Sequence, residues 1–301
     1  EVTREAGPVS APGRHTGYRQ QQGVALIMVL WLLVLLTIIA SSHAHNIRIE
    51  TQLARSQLDL SRARALAEAG IYRAVMGLLA ATETDIWPVN GSPVEFELDD
   101  ARLSIRIRDG RGLIDLNTAQ SSVLEKVLAA VDVEEARSQA LASAILDWRD
   151  QDSLKHLNGA EATDYRLEGI DWGPRNGPFT SVEELGYVLG MNAGIFKRLA
   201  PYLTVHSGHQ GVDLEVAPPW LVTTLSGEGI DRTDSSTPPA GRDTNRTGVF
   251  HISVWSMVPS GALASLDVVI RISNDQEQPY VILSWREPAR SLVSSAAPDP
   301  A

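Results

Sequence analysis

Gly23-Val24-Ala25-Leu26-Ile27-Met28-Val29-Leu30-Trp31 opens an apolar run that continues to Ala40. No residue in 24–47 carries a formal charge. A bilayer-spanning helix needs about 20 predominantly apolar residues, and this run is long enough. Residues 1–22 are rich in Gly, Pro, Arg and Gln without periodicity, which predicts a disordered leader. Arg14 and Arg19 precede the span, so the positive-inside rule places the N-terminus in the cytoplasm and the bulk of the chain outside. Two simpler readings compete. One is a plain N-terminal anchor. The other is a secretory signal cleaved near Ser42-His43-Ala44, but the apolar core exceeds the roughly 7–15 residues of such signals.

The helical pattern does not stop with the apolar run. Ile49, Leu53, Leu60, Ala63, Ala67, Ile71, Ala74 and Leu78 recur at steps of three, four or seven, with Arg, Glu and Gln between them. That spacing makes one amphipathic stripe. Gly70 and Gly77 interrupt it without ending it. A helix from 24 to about 79, rising 1.5 Å per residue, would be roughly 80 Å long. Its first half is apolar all round. Its second half has one face to bury against a globular head.

Downstream, 94–98 and 103–107 alternate apolar and polar around Asp99-Asp100, the pattern of an antiparallel hairpin, and Asp109-Gly110-Arg111-Gly112 ends it. Residues 113–203 read as mostly helical, with helices over 123–131, 136–148, 181–189 and 193–199. Asn117 or Thr118 is the candidate cap of the first, and Thr180 or Ser181 with Glu183 or Glu184 has a capping-box pattern. Ile114-Asp115-Leu116-Asn117-Thr118-Ala119 is echoed by Val212-Asp213-Leu214-Glu215-Val216-Ala217, a short hint of a repeated turn-helix unit. Residues 226–247 are Gly, Ser, Thr, Pro, Asp and Arg, and read as an exposed loop. Strands are expected over 249–257, 264–272 and 280–285, then a polar tail.

Charge and composition narrow the function. The net charge is −11. Arg4, Arg14 and Arg19 against Glu1 and Glu5 make the leader +1, which leaves −12 on the remainder. Such a body repels phosphate backbones and argues against nucleic acid. With no cysteine, disulfides, zinc-thiolate sites and thiol catalysis are excluded. No Ser-His-Asp order, HExxH or phosphate-cradling glycine loop is convincing, so the chain reads as non-enzymatic.

One segment has the residues of a cation site. Asp147-Trp148-Arg149-Asp150-Gln151-Asp152 is followed by Asn158-Gly159-Ala160-Glu161-Ala162-Thr163-Asp164-Tyr165. Calcium takes about six to eight oxygen ligands from carboxylates, amides and carbonyls. The spacing is not that of an EF-hand. On spacing alone a solvated acidic loop, with Asp147 or Asp150 closing a helix, is the simpler account. His206 and His209 flank Ser207-Gly208 and read as a surface loop rather than a metal pair. His43 and His45 read as interfacial residues at the membrane edge.

A basic leader ending in Gly23, then an apolar helix running into an amphipathic one, resembles the precursors of the type IV pilin-like family. In that family a prepilin peptidase cuts after the glycine and the new N-terminal residue, here Val24, is methylated. Most members carry Glu at the fifth mature position, whereas this chain has Met28. That departure, and Gly-Val-Ala-Leu-Ile-x-Val-Leu itself, are similar to the minor pseudopilin K family of the type II secretion system. A carboxylate in the bilayer costs about 2.5–3.5 kcal/mol or more unless paired. A subunit at the very tip has no neighbour ahead to pair it, so an apolar residue is expected there. Asp-Trp-x-Asp-x-Asp followed by Gly-Ala-Glu-x-x-x-Tyr also resembles that family, as do Asn176-Gly177-Pro178-Phe179 and Glu184-Leu185-x-x-Val188-x-Gly190-Met191. The family's helical domain is described as binding calcium. The matching positions here are Asp150, Asp152, Glu161 and Asp164, with Thr163-Asp164 departing from the usual closer spacing of acids.

The resemblance implies an α+β, pilin-like fold: a long N-terminal helix on an antiparallel sheet, with a large inserted all-helical domain. The boundaries it implies are a leader over 1–23, a transmembrane and assembly helix over 24–82, a head over 83–109 and 203–287, an insertion over 110–202 and a disordered tail over 288–301. It implies a subunit of the inner membrane with its bulk in the periplasm. The partners it implies are the minor pseudopilins I and J, the prepilin peptidase and the inner-membrane secretion platform. The tip complex would initiate pseudopilus assembly and support export of folded proteins. Met28, Leu53, Leu60 and Ile71 mark the helix expected, with the sheet edge, to meet partner helices. Two alternatives remain beside it. One is a minor pilin of a type IV pilus. The other is a membrane-anchored periplasmic helix-hairpin-helix protein binding DNA, although Ala129-Ala130-Val131-Asp132 lacks the Gly-x-Gly hairpin.

Overall fold

The computed structural model of the chain describes residues 22–80, 87–226 and 248–288, with side chains described in the first helix over 25–41 and from 49 onward. Nearly all of the leader, most of the predicted 226–247 loop and nearly all of the tail lie outside the described residues. The chain forms two compact units, Glu1–Leu58 and Asp59–Ala301. Helix α1 is Gln22–Leu79. In the first unit its apolar side chains from Leu26 to Ile39 are exposed. Among the described residues no helix is long and apolar enough to cross a membrane.

In the second unit the α1 stripe is buried as its period requires. Ala63, Leu66, Ala67, Ile71, Ala74, Val75 and Leu78 face the sheet. Full burial of a side chain such as Ile71 or Leu78 contributes about 1.5–3 kcal/mol. The two helix glycines are points of closest approach. A Cβ on Gly70 would lie 2.7 Å from Val254 Cγ1, and one on Gly77 would lie 2.7 Å from Trp87 Nε1. Here the cost of glycine in a helix, about 1 kcal/mol against Ala, is offset by close packing.

The sheet is antiparallel in the order β1-β2-β5-β6-β7. Its strands are β1 Asn90–Leu98, β2 Ala101–Asp109, β5 Gly248–Met257, β6 Leu263–Ile272 and β7 Tyr280–Arg286. Asp99-Asp100 makes the hairpin turn, with Asp99 at φ 57° and Asp100 paired to Arg62 at 2.6 Å. Ile105, Ile107, Ile252, Val254, Val268 and Ile270 join α1 in the core. The alternate residues of these strands form a polar back face, where the Arg106 guanidinium stacks 4.9 Å from the Trp255 ring centroid.

The insertion leaves the sheet after β2. It is clasped at its ends by a two-residue parallel pair, β3 Ile114–Asp115 with β4 Leu203–Thr204. These strands are too short for periodicity to reveal. Between them lie α2 Ser121–Ala129, α3 Glu135–Arg149, α4 Ala162–Leu167, a 3-10 segment Val182–Tyr187 and α5 Ala193–Leu199. They share a core of their own that includes Leu128, Leu141, Ile145, Trp148, Tyr165 and Leu185. Helix α6, Pro219–Ser226, packs with α2, and Ala217 and Leu221 enter this core. The helical unit therefore draws in residues beyond the 202 boundary expected from the sequence.

Two local expectations change. Gln120, not Asn117 or Thr118, is the N-cap of α2, and it makes no side-chain cap bond. Asn117 instead ties two irregular segments of the insertion together: its Oδ1 accepts from Phe179 N at 2.7 Å and its Nδ2 donates to Phe179 O at 3.0 Å. At the 3-10 segment, Glu184 reaches back to Thr180 N at 3.2 Å, while Ser181, the N-cap, makes no side-chain cap bond. The internal echo is structural. Asp115 Oδ1 accepts from Asn117 N at 2.8 Å and Asp213 Oδ1 from Glu215 N at 3.1 Å. A helix begins at the same offset after each, at Ser121 and Pro219.

Candidate functional site

Asp147, in the last turn of α3, is fully buried and folds the acidic loop around itself. Its Oδ1 accepts from His156 N at 3.0 Å and lies 2.5 Å from His156 Nδ1, and its Oδ2 accepts from Ala160 N at 2.7 Å. Gly159 makes room for this, since a Cβ there would fall 2.0 Å from Asp147 Oδ2. Two other residues of the Asp-Trp-Arg-Asp segment are equally structural. Trp148 stacks on Phe179 with centroids 6.0 Å apart. Arg149 donates to the carbonyls of Leu116 at 2.5 Å and Ala119 at 2.8 Å.

The four predicted ligands separate into two kinds. Asp164 is engaged: its Oδ1 takes Lys155 Nζ at 2.6 Å and its Oδ2 takes Glu161 N at 2.8 Å. The Lys155 hydrogen bond, then the Glu161 N–H, hold its pKa below the usual carboxylate range. Asp152 keeps one oxygen in an Asx turn, accepting from Leu154 N at 2.8 Å. Asp150 and Glu161 are different. Asp150 Oδ1 and both carboxylate oxygens of buried Glu161 have no hydrogen-bond partner. The Asp164 N–H of the α4 capping box and the Ala162 N–H approach the Glu161 carboxylate without making a full hydrogen bond to it. Burial first, then the neighbouring carboxylates Asp152 and Asp147, raises the pKa of Asp150. Burial and then Asp147 raise that of Glu161.

Asn176, which the sequence reading did not select as a ligand, adds a fourth orphan. It lies at φ 52° and its Oδ1 is buried without a partner. An unpaired buried acceptor costs about 1–3 kcal/mol, and more when charged. Carboxylate and amide oxygens alone make a donor set suited to a hard divalent cation. Of the four predicted ligands only Asp150 falls in a group of metal-type ligand atoms within 4.8 Å of one another among the described residues, and its companions there are Asp147 and His156. His206 and His209 do not join a metal-type cluster among the described residues.

On α1, Met28 and Leu53 are exposed, Leu60 is half-buried and Ile71 is fully buried. The stripe from Ala63 onward thus serves the head's own sheet and is not available to a partner. A second stripe is. Ala65, Ala69, Tyr72, Met76 and Leu79 are all exposed at steps of four, three, four and three. Tyr72 lies beside Trp285 of edge strand β7, with ring centroids 6.5 Å apart, and Val281 and Ile282 of β7 are exposed as well. The two alanines hid this seam in the sequence, because only the neighbouring sheet shows which apolar face is left over. Gly23 and Val24 lie in the first turn of α1, and their side chains are outside the described residues.

Long helix, antiparallel sheet and clasped helical insertion define an α+β pilin-like protein. Residues 103–208 match the family model described as type II secretion system (T2SS), protein K. The chain is 27% identical over 205 residues to type II secretion system protein K of Klebsiella pneumoniae, covering 61% of this chain and 62% of that one. It is 29% identical over 211 residues to the Pseudomonas aeruginosa protein of the same name, covering 62% of each. It also resembles a chain in the crystal structure of the GspK-GspI-GspJ complex from the enterotoxigenic Escherichia coli type 2 secretion system. There the TM-score is 0.50 at 14% identity, covering 81% of this chain and 99% of that one, a likeness of fold. Over these residues the chain is similar to the type II secretion system protein K family. Its match spans 62% of the length of these curated relatives.

Proposed function

We propose that the chain is a minor pseudopilin at the tip of a type II secretion pseudopilus, joining minor pseudopilins I and J in a complex that initiates assembly. The observation that carries this reading is the exposed seam Ala65, Ala69, Tyr72, Met76 and Leu79 on the helix whose opposite face is committed to its own sheet. Alternating steps of three and four are the spacing that meets another helix through knobs and holes. Small residues at Ala65 and Ala69 let that helix approach closely. A solved relative's complex names proteins I and J as its companions.

Met28 in place of the usual carboxylate, and a helical insertion that would clash if stacked within a fibre, both favour the terminal position. Cleavage after Gly23 by the prepilin peptidase, methylation of Val24 and anchoring in the inner membrane through 24–47 belong to the same reading. So do a periplasmic body, contact with the inner-membrane secretion platform and a calcium ion held by Asp150, Asp152, Glu161 and Asn176 that orders the loop. The role calls for assembly and not for catalysis. The test is co-purification of the full chain with I and J, wild type against Met76→Glu. A charge at the centre of the seam should abolish the complex while the thermal melt of the variant alone stays unchanged. Undiminished capture of I and J by M76E would refute the reading.

A further inference from the structure

We propose that edge strand β7 accepts an added strand from the neighbouring subunit, so that the five-stranded sheet continues across the subunit boundary. The partner is a pseudopilin of the same helix-under-sheet build, and this rests on the reading of the α1 seam as the surface that meets I and J.

The two edges of the sheet are built differently. An unpaired edge presents a row of free N–H and C=O groups, and proteins ordinarily blunt it with proline or charge. On β1, Pro93 has no N–H to offer, and Glu95 and Glu97 are exposed. On β7, Tyr280-Val281-Ile282-Leu283-Ser284-Trp285 contains neither proline nor charge. Leu283 is an extra residue opposite the Val269–Ile270 step, a bulge that bends the strand but leaves its edge apolar. Among the described residues, the main chain of 280–286 makes no hydrogen bond beyond its pairing with β6. The free edge is roughly 20 Å long.

Three side-chain contacts hold the strand in place and leave that edge open. Trp285 lies against Tyr72 of α1, with ring centroids 6.5 Å apart. Arg286 pairs with Glu183 of the insertion. Glu287, just past the strand, pairs with Arg64 of α1 at 2.5 Å. A strand ordered in advance lowers the entropy cost of adding to it.

The open edge also continues the seam. Val268 and Ile270, opposite Trp285 and Ile282 in register, are core residues, so Trp285 and Ile282 share the sheet face that α1 covers. Through Tyr72 that face joins the seam of Ala65, Ala69, Met76 and Leu79. A second subunit of this build, with its helix on the seam, brings its sheet layer alongside β7. Main-chain hydrogen bonds then supply the affinity, and the exposed Val281 and Ile282 call for an uncharged, apolar strand opposite them.

The experiment follows hydrogen–deuterium exchange of the full chain, alone and in complex with I and J. In the free chain the outward amides of 280–286 should exchange fast, and in the complex they should slow on the order of 100-fold. A complex that forms without slowing them overturns this proposal and leaves the seam reading standing. No complex at all overturns both. Protection already present in the free chain also overturns it. Protection lost when the chain is ended at Pro288 would make its own tail the occupant, and protection that rises with concentration would make it a second copy. A main-chain variant supplies the second measurement. Of Val281 and Ile282, one N–H points toward β6 and the other outward. Whichever of Val281→Pro and Ile282→Pro leaves the melting temperature unchanged has lost only the outward donor, since proline is tolerated on an edge. That variant should weaken capture of I and J roughly 10-fold, and undiminished capture would count against strand addition.

Discussion

His251 makes the head acid-labile in a way that can be worked out from its surroundings. It is on β5, half-buried on the back face of the sheet, with Nε2 2.9 Å from Thr204 Oγ1 of the clasp. Burial first, then the charges of Arg108, His206 and Arg286, push its pKa down to about 3 from the ordinary 6.5. The folded protein therefore binds fewer protons than the unfolded chain between those two values. The stability this contributes is fully present above pH 6.5 and is lost as pH falls toward the folded pKa. The slope is at most about 1.4 kcal/mol per pH unit, so about 2 kcal/mol disappears between pH 7.5 and 5. The assay is urea unfolding from pH 7.5 to 5, wild type against His251→Gln, whose amide can still bond Thr204. At neutral pH the variant should be less stable, by on the order of 1 kcal/mol. Over the acid range it should lose about 2 kcal/mol less than wild type. Half-buried His206, whose pKa burial also lowers, acts in the same direction and cancels in the comparison. Parallel pH profiles for the two proteins would refute the assignment.

Two further outcomes follow from packing and from the acidic loop. Gly70→Ala gains helix propensity of about 1 kcal/mol but drives a methyl into Val254, so a net loss of about 1–2 kcal/mol is expected in thermal melts. A rise in melting temperature would show that the sheet yields. Glu161→Gln removes a buried unpaired charge. Since the folded pKa of Glu161 is raised, its carboxyl favours folding at acid pH and opposes it as pH rises through that pKa. In chelator the variant should accordingly be as stable as wild type or more so at pH 7.5. It should also gain little from added calcium, and unaltered stabilisation by calcium would remove Glu161 from the ligand set.

Much of this was legible because it depends on local period. The helix stripe, the hairpin around Asp99-Asp100 and the three late strands follow from steps of three to four or of two, and observed bounds differ from the predicted ones by a few residues at most. Asn192 announces α5 by accepting from Ile195 N at 2.9 Å, an N-cap bond written into the local sequence. What resisted was long-range. Asn117 has the look of a cap, yet its amide is spent 62 residues away on Phe179. The β3–β4 clasp joins pairs of residues that carry no pattern of their own. Asp150, Asp152, Glu161 and Asp164 look equivalent along the chain, but Lys155 reaches only Asp164.

The sequence by itself determined the long helix, the five strands of the main sheet, the main helices of the insertion, the apolar N-terminal run, the acidic balance and the family resemblance, because each is set by residue type and neighbouring positions. The opening stretch Gly23 to Trp31 belongs to that part. Tertiary structure decided which groups are spent and which remain. Packing against β2 and β5 used one stripe of α1 and left the seam from Ala65 to Leu79. Folding around Asp147 used His156 and Ala160 and left Asp150 Oδ1, Asn176 Oδ1 and the Glu161 carboxylate oxygens without hydrogen-bond partners. Burial and hydrogen-bond pairing are properties of the whole fold, and the order of residues does not contain them.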